Sequence, residues 1–188
     1  MKNTLSIIVL MIFTNFLFSQ TSKDLLFPQN AKLSDKFKST IIEKTKEFNR
    51  LLYKDSLEIK KYTPDFILEK IDNDKDYKYL YIAEYWIAFN YKKMIPELIK
   101  RVNNKKEVGL ENSFDLIIWE RIKNKQMKFY GHGGLSTDDL FTISGRSNRL
   151  LTQITGENFG SVSMYSTQQE LDKLKSNWTK WLENLQSN

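Results

Sequence analysis

His132 is the only histidine in the chain, and histidine is the side chain whose ordinary titration falls between pH 5 and 8. It stands in Gly131-His132-Gly133-Gly134, just after Phe129 and Tyr130 and ahead of Asp138, Asp139 and Arg146. A backbone with three glycines can approach a ligand, or simply a neighbouring helix, more closely than one carrying side chains. Tyr130, His132, Asp138, Asp139 and Arg146 are therefore the candidate binding residues. The competing reading of His132 is a loop imidazole bonded to backbone or solvent. A glycine loop of this kind can build an oxyanion hole, but it then works beside a Gly-x-Ser-x-Gly nucleophile elbow, and no such elbow is present. A phosphate-binding glycine loop of the Walker type ends in Gly-Lys-Ser/Thr, also absent.

The acidic residues offer two further sites to weigh. Asp72, Asp74 and Asp76 match positions one, three and five of a calcium-binding loop. The sixth position is Tyr77, where glycine is needed, and the twelfth is Ala83, where a bidentate glutamate is needed. The run is better explained as acids gathered at the start of a helix. Glu84 is the odd member of the largely apolar Tyr77–Phe89, so burial would oblige it to find a Lys or a Tyr hydroxyl; a catalytic carboxylate is the alternative. No pair of carboxylates stands out for glycosidic chemistry. With no cysteine and one histidine, thiol nucleophiles, disulfides, a cysteine-anchored lipid and a cysteine zinc site are excluded, and no cofactor or metal is expected.

These residues need elements to position them, and the first segment is not one of them. Lys2 precedes Leu5–Phe18, which is nearly unbroken apolar sequence, and Ser19, Gln20, Thr21 and Ser22 follow. That order is the pattern of a secretory signal peptide over residues 1–20, cut after Ser19 or Gln20. An uncleaved anchor is the rival, disfavoured because the apolar stretch is shorter than the roughly 20 residues a span needs. The expectation is an exported, periplasmic or extracellular protein with no membrane span after cleavage. Its 29 basic and 23 acidic residues alternate, as in Lys44-Thr45-Lys46-Glu47, so the surface is mixed rather than a basic stripe. Nucleic-acid binding is not expected.

Residues 21–33 read as an extended lead-in containing Pro28. Helical spacing then begins with Ser34 as cap, placing Phe37, Ile41, Ile42, Phe48, Leu51 and Leu52 mostly on one face. A short helix is expected over Leu57–Tyr62. Thr63-Pro64-Asp65 opens the next, with Thr as N-cap and Pro in the first position. Tyr77–Phe89 is apolar almost all round, as in a helix buried on every side. Lys92–Val102, with Pro96 read in its first turn, pairs back against it and ends at Asn103-Asn104. Asn112 or Ser113 caps a helix that Phe114, Ile117, Ile118 and Ile122 carry to about Gln126.

Composition changes after this point. Six of the seven glycines lie between Gly131 and Gly160, and all three prolines precede residue 97. Ser136, Thr137, Asp138 and Asp139 are expected to open a helix through Leu140, Ile143, Leu150, Leu151 and Ile154. Gly156 stops it, and Gly160 closes the turn that holds Phe159. Thr167 and Glu170 form a capping box for a last helix carrying Leu171, Leu174, Trp178, Trp181, Leu182 and Leu185. Trp178, Trp181, Phe159, Gly156 and Gly160 are structural core positions. The fold class expected is all-α: a compact single domain over 34–188 with antiparallel helix pairs, about seven helices and no strand.

Two stretches carry a resemblance. Met94-Ile95-Pro96-Glu97-Leu98-Ile99 looks like the second helix of a HEAT-type repeat. Gly145–Leu151, Ile154-Thr155-Gly156-Glu157-Asn158-Phe159-Gly160 and Trp178-Thr179-Lys180-Trp181 are similar to the terminal pattern of bacterial HEAT-like (armadillo-type) helical repeat proteins. The resemblance spans roughly residues 76–186, with no strict repeat. It implies HEAT-like packing and a protein-binding or scaffold role, with no catalysis to transfer. The expected function is thus a noncatalytic exported module that binds another envelope or secreted protein. The alternative is a small hydrolase-like enzyme centred on His132 with Asp138 or Asp139.

Overall fold

A computed structural model describes residues 25–51, 56–111 and 138–185. The signal-peptide reading of residues 1–20, the helix read over Phe114–Gln126, the loop with Tyr130 and His132, and the caps Ser136 and Thr137 lie outside the described residues. Six helices are described: α1 (Asp35–Leu51), α2 (Ser56–Ile59), α3 (Pro64–Asn73), α4 (Tyr77–Arg101), α5 (Ile143–Thr155) and α6 (Gln168–Asn184). No strand is found among the described residues, only isolated bridges from Asp76 to Glu111 and from Glu107 to Thr142. The protein is all-α.

The helix starts follow local chemistry. Ser34 Oγ accepts from Phe37 N–H at 3.2 Å, and Thr63 does the same for Phe66 ahead of Pro64. Thr167 and Glu170 exchange both bonds of a capping box, which satisfies two donors that a helix start leaves unpaired. The acidic run divides its work. Asp76 caps α4 by accepting from Lys78 N–H, Asp74 takes the Asp76 N–H and Lys70, and Asp72 faces Arg101.

Helix α4 is two helices joined at Asn90, whose backbone (φ −126°, ψ 19°) leaves the helical region. A straight 25-residue helix would be roughly 37 Å long. Arg101, at its end, nevertheless pairs with Asp72 at 3.0 Å, five residues before its beginning. The element is therefore sharply bent, and both its ends lie beside the C-terminal end of α3. Pro96 lies inside the second half and not in its first turn. It deprives the Lys92 carbonyl of the usual i+4 donor. The first half is buried continuously from Ile82 to Ala88, as its apolar circumference requires.

Helix α5 begins at Ile143 with Thr142 as N-cap, several residues later than the expected start. Asp139 is drawn into a turn instead: its carboxylate accepts from Phe141 N–H and its carbonyl from Thr142. An aspartate bonded to the backbone two residues on competes with helix entry, and here it prevails. Gly156 ends α5 at φ 76°, the left-handed conformation that favours glycine at a C-cap.

Core packing is continuous across these elements. Phe37 and Phe48 of α1 are fully buried, and Phe37 meets Tyr91 and Trp181 edge-on or tilted. Trp178 is buried between Phe159 at 4.7 Å and Trp181 at 5.6 Å, both perpendicular, a favoured arrangement for aromatic quadrupoles. Donors from distant elements close the helix C-termini. Ser144 Oγ bonds the Val102 carbonyl behind α4, Lys36 Nζ bonds the Gly156 carbonyl behind α5, and Lys32 N–H bonds the Leu185 carbonyl behind α6 at 3.1 Å.

Gly145 sits where the Asp139 turn presses on α5. A β-carbon there would stand 1.9 Å from the Asp139 carbonyl oxygen, a clash with backbone. Gly145→Ala is expected to destabilise the fold by about 3 kcal/mol, at the upper end of overpacking costs. Urea unfolding should show the lower midpoint, and an unchanged midpoint would disprove this close approach.

Candidate functional site

Three of the five residues singled out for binding are described, and all three are occupied with the fold. Arg146 is 1% exposed. Its guanidinium donates to the carbonyls of Leu140 (2.9 Å), Ile71 (2.8 Å), Asp74 (2.7 Å) and Gly109 (2.6 Å). Ile71 and Asp74 lie at the C-terminal end of α3, where the helix dipole and unpaired carbonyls favour a cation. Burial pulls the guanidinium down to about 10, opposed by the charges of Asp74 and Asp72, so it stays charged at neutral pH.

Asp138 is buried, and its Oδ1 accepts from Asn148 Nδ2 and Val162 N–H, both at 2.8 Å. Asn148 in turn donates to the Gly160 carbonyl and accepts from Trp178 Nε1 at 2.8 Å. One buried amide thus joins the Asp138 turn, the Gly160 turn and α6. Burial raises the Asp138 carboxyl above its usual value, and the bonds from Val162 and Asn148 oppose the rise. Asp139 holds the turn described above. The structure does not join Asp138 to Arg146, whose charged neighbours are Asp74 and Asp72; the charge beside Asp138 is Arg149.

A second buried cluster surrounds Glu84. Lys44 of α1 meets its Oε1 at 2.5 Å, with both side chains under one-tenth exposed. With its amide nitrogen turned toward Glu84, Gln153 of α5 reaches Oε2 at 3.1 Å and accepts from Arg149 at 3.3 Å. Lys44 also lies 5.1 Å from the Tyr85 ring centre. The partner foreseen for Glu84 is thus a lysine. Its signal was in the sequence: Lys44 falls on the stripe Phe37, Ile41, Phe48, where every other member is apolar.

An open groove of about 970 Å³ lies between α3 and the second half of α4. Leu25, Leu26, Phe27 and Gln29 of the lead-in line it too, and Leu68, Pro64 and Pro96 supply apolar surface. From α3 come Asp65, Glu69 and Asp72; from α4 come Lys92, Lys93, Glu97, Lys100 and Arg101. At one end the two helices are clamped, because Arg101 of α4 binds Asp72 of α3, while Glu97 pairs with Lys100 and Arg101 along α4 itself. Toward the other end Lys92, Lys93 and Asp65 make no ion pair among the described residues, and Glu69 meets only Lys70, at 3.5 Å. Sequence reasoning did not single these residues out, because a groove between helices distant in the chain leaves no local pattern.

Among the described residues no group of three acidic or histidine side chains is placed to hold a metal ion, and no helix is long and apolar enough to cross a membrane. Comparison with protein-family models, curated proteins and solved structures finds no significant match.

The Lys44–Glu84 pair gives a clear expectation. Glu84→Leu alone leaves a buried, uncompensated ammonium and should cost about 3–5 kcal/mol. Adding Lys44→Met should recover most of that loss in chemical denaturation. A double variant no more stable than the single one would contradict the pairing.

Asp138 gives a pH signature. Its folded value lies above the unfolded one, near 3.9, so the folded state binds more protons between the two. Its contribution to stability is therefore present at low pH and lost as pH rises through the raised folded value. Asp138→Asn should remove this downward component from a stability-versus-pH curve measured from pH 3.5 to 7; an unchanged curve would show that Asp138 titrates normally.

Proposed function

We propose that this protein is an exported, noncatalytic α-helical module that binds another envelope or secreted protein, and that the α3–α4 groove receives the partner. The groove carries the reading. It combines apolar surface with charged side chains, of which Lys92, Lys93 and Asp65 make no ion pair among the described residues, the mixture expected where a partner is oriented by charge and held by burial. The titratable residues singled out for chemistry support it from the other side. Arg146 and Asp138 spend their polar atoms on backbone and on Asn148. The likeness of residues 76–186 to HEAT-type repeat proteins points to the same class of role, and the apolar leader at residues 1–20 supports export.

Site-directed photocross-linking tests this in the native envelope. A photoreactive residue at Gln29, on the groove, should capture one dominant protein after a high-salt wash, which strips contacts made by long-range charge alone. The same residue at Ser39, on the exposed face of α1, should capture none. Equal capture at both positions, or none at either, would refute the binding-module reading.

A further inference from the structure

The two walls of the groove carry opposite charge. Asp65, Glu69 and Asp72 stand on α3 at spacings of four and three, so they share one face of that helix. Lys92 and Lys93 stand across the groove on α4. The clamp of Asp72 on Arg101 closes one end, and beyond it the walls are not bridged among the described residues. An occupant at this end meets carboxylates on one edge and ammonium groups on the other, with apolar surface from the lead-in, chiefly the exposed Leu26, and only the rims of the buried Leu68 and Pro96.

This arrangement selects a charge pattern and not a net charge. In an extended chain, successive side chains point to opposite edges. A segment alternating basic and acidic residues therefore presents all its cations to one wall and all its anions to the other. From Asp65 to Asp72 the groove runs about 10 Å along α3, the length of roughly three extended residues.

Resting on the binding-module reading above, we propose that the α3–α4 groove recognises a short extended peptide segment of alternating basic and acidic residues in its protein partner. The alternation gives the segment no preferred direction by net charge; its register is fixed by the closed end at Asp72 and Arg101.

Synthetic peptides test the pattern directly. The probes are an eight-residue Lys-Glu alternating peptide, a block isomer with four Lys followed by four Glu, and an alanine-rich helical peptide with Glu and Lys four apart. The full chain should bind the alternating peptide about five- to tenfold more tightly than either other probe in fluorescence anisotropy, as expected of several partly exposed ion pairs, and the preference should fade at high salt. Lys92→Glu with Lys93→Glu should abolish the preference. Adding Asp65→Lys and Glu69→Lys exchanges the walls, and the same peptide should bind again with its cationic and anionic edges exchanged.

Equal affinity for the block isomer, or tighter binding of the helical peptide, would overturn the proposal. So would a wall-exchanged variant that keeps its circular dichroism but does not regain binding. The broader reading fails separately. Protein capture at Gln29 that survives Lys92→Glu with Lys93→Glu would leave the binding module standing and overturn the charge pattern, whereas absence of capture in the unaltered protein would remove the module itself.

Discussion

The buried guanidinium of Arg146 ties together more of the chain than any local cap can. It gathers carbonyls from the end of α3, from Gly109 and from the turn before α5. Those segments lie 6 to 75 residues from Arg146 in the chain. Arginine suits the position because its planar fork points several donors in fixed directions. A lysine in its place would concentrate the charge at one point and could not span the same set of carbonyls. The arrangement is also electrostatically consistent: the cation faces the negative end of α3, with Asp72 and Asp74 nearby to offset the cost of burial.

The same requirement recurs at the other helix ends. A helix leaves its last carbonyls without intrahelical donors, and a small all-α protein has no strands to absorb them. Ser144 closes α4, Lys36 closes α5 and the backbone of Lys32 closes α6. Each closure crosses between elements, so satisfying the helix ends also fixes the relative placement of the helices. The Lys44–Glu84 pair adds specificity of another kind. Hydrophobic packing of Phe37 and Phe48 tolerates small slides of α1, but a buried ion pair does not, because a displaced partner leaves a charge uncompensated.

Local features were legible in the sequence because they are governed by residues a few positions apart. The caps Thr63 and Thr167, the box with Glu170 and the stop at Gly156 all behave as their residue types require. So does the break between Phe89 and Lys92, although it falls inside one continuous helical element. The start of α5 was misplaced because Asp138 and Asp139 resemble first-turn acids, while their actual partners are Val162, Asn148 and Phe141. Arg146 read as a ligand-binding cation for a related reason. Nothing local distinguishes an arginine that meets solvent from one that meets carbonyls 75 residues away. Gly145 carried no signal either, since its demand comes from the Asp139 carbonyl folding back onto it.

The division of charged side chains between interior and surface is the physical basis for placing the proposed recognition at the groove and not at Asp138 or Arg146. A buried charge has to be satisfied by the fold that buries it, and Arg146, Asp138 and Glu84 each have that satisfaction. Groups so committed cannot turn to a ligand without leaving their partners unpaired. Charges at the open end of the groove carry no such obligation, because solvent pays the cost of holding them apart. The Asp72–Arg101 clamp brings α3 and α4 together at one end, and toward the other no ion pair joins the two walls among the described residues. A groove built this way keeps its shape without an occupant, so a partner segment of the kind proposed would impose little ordering cost on the protein.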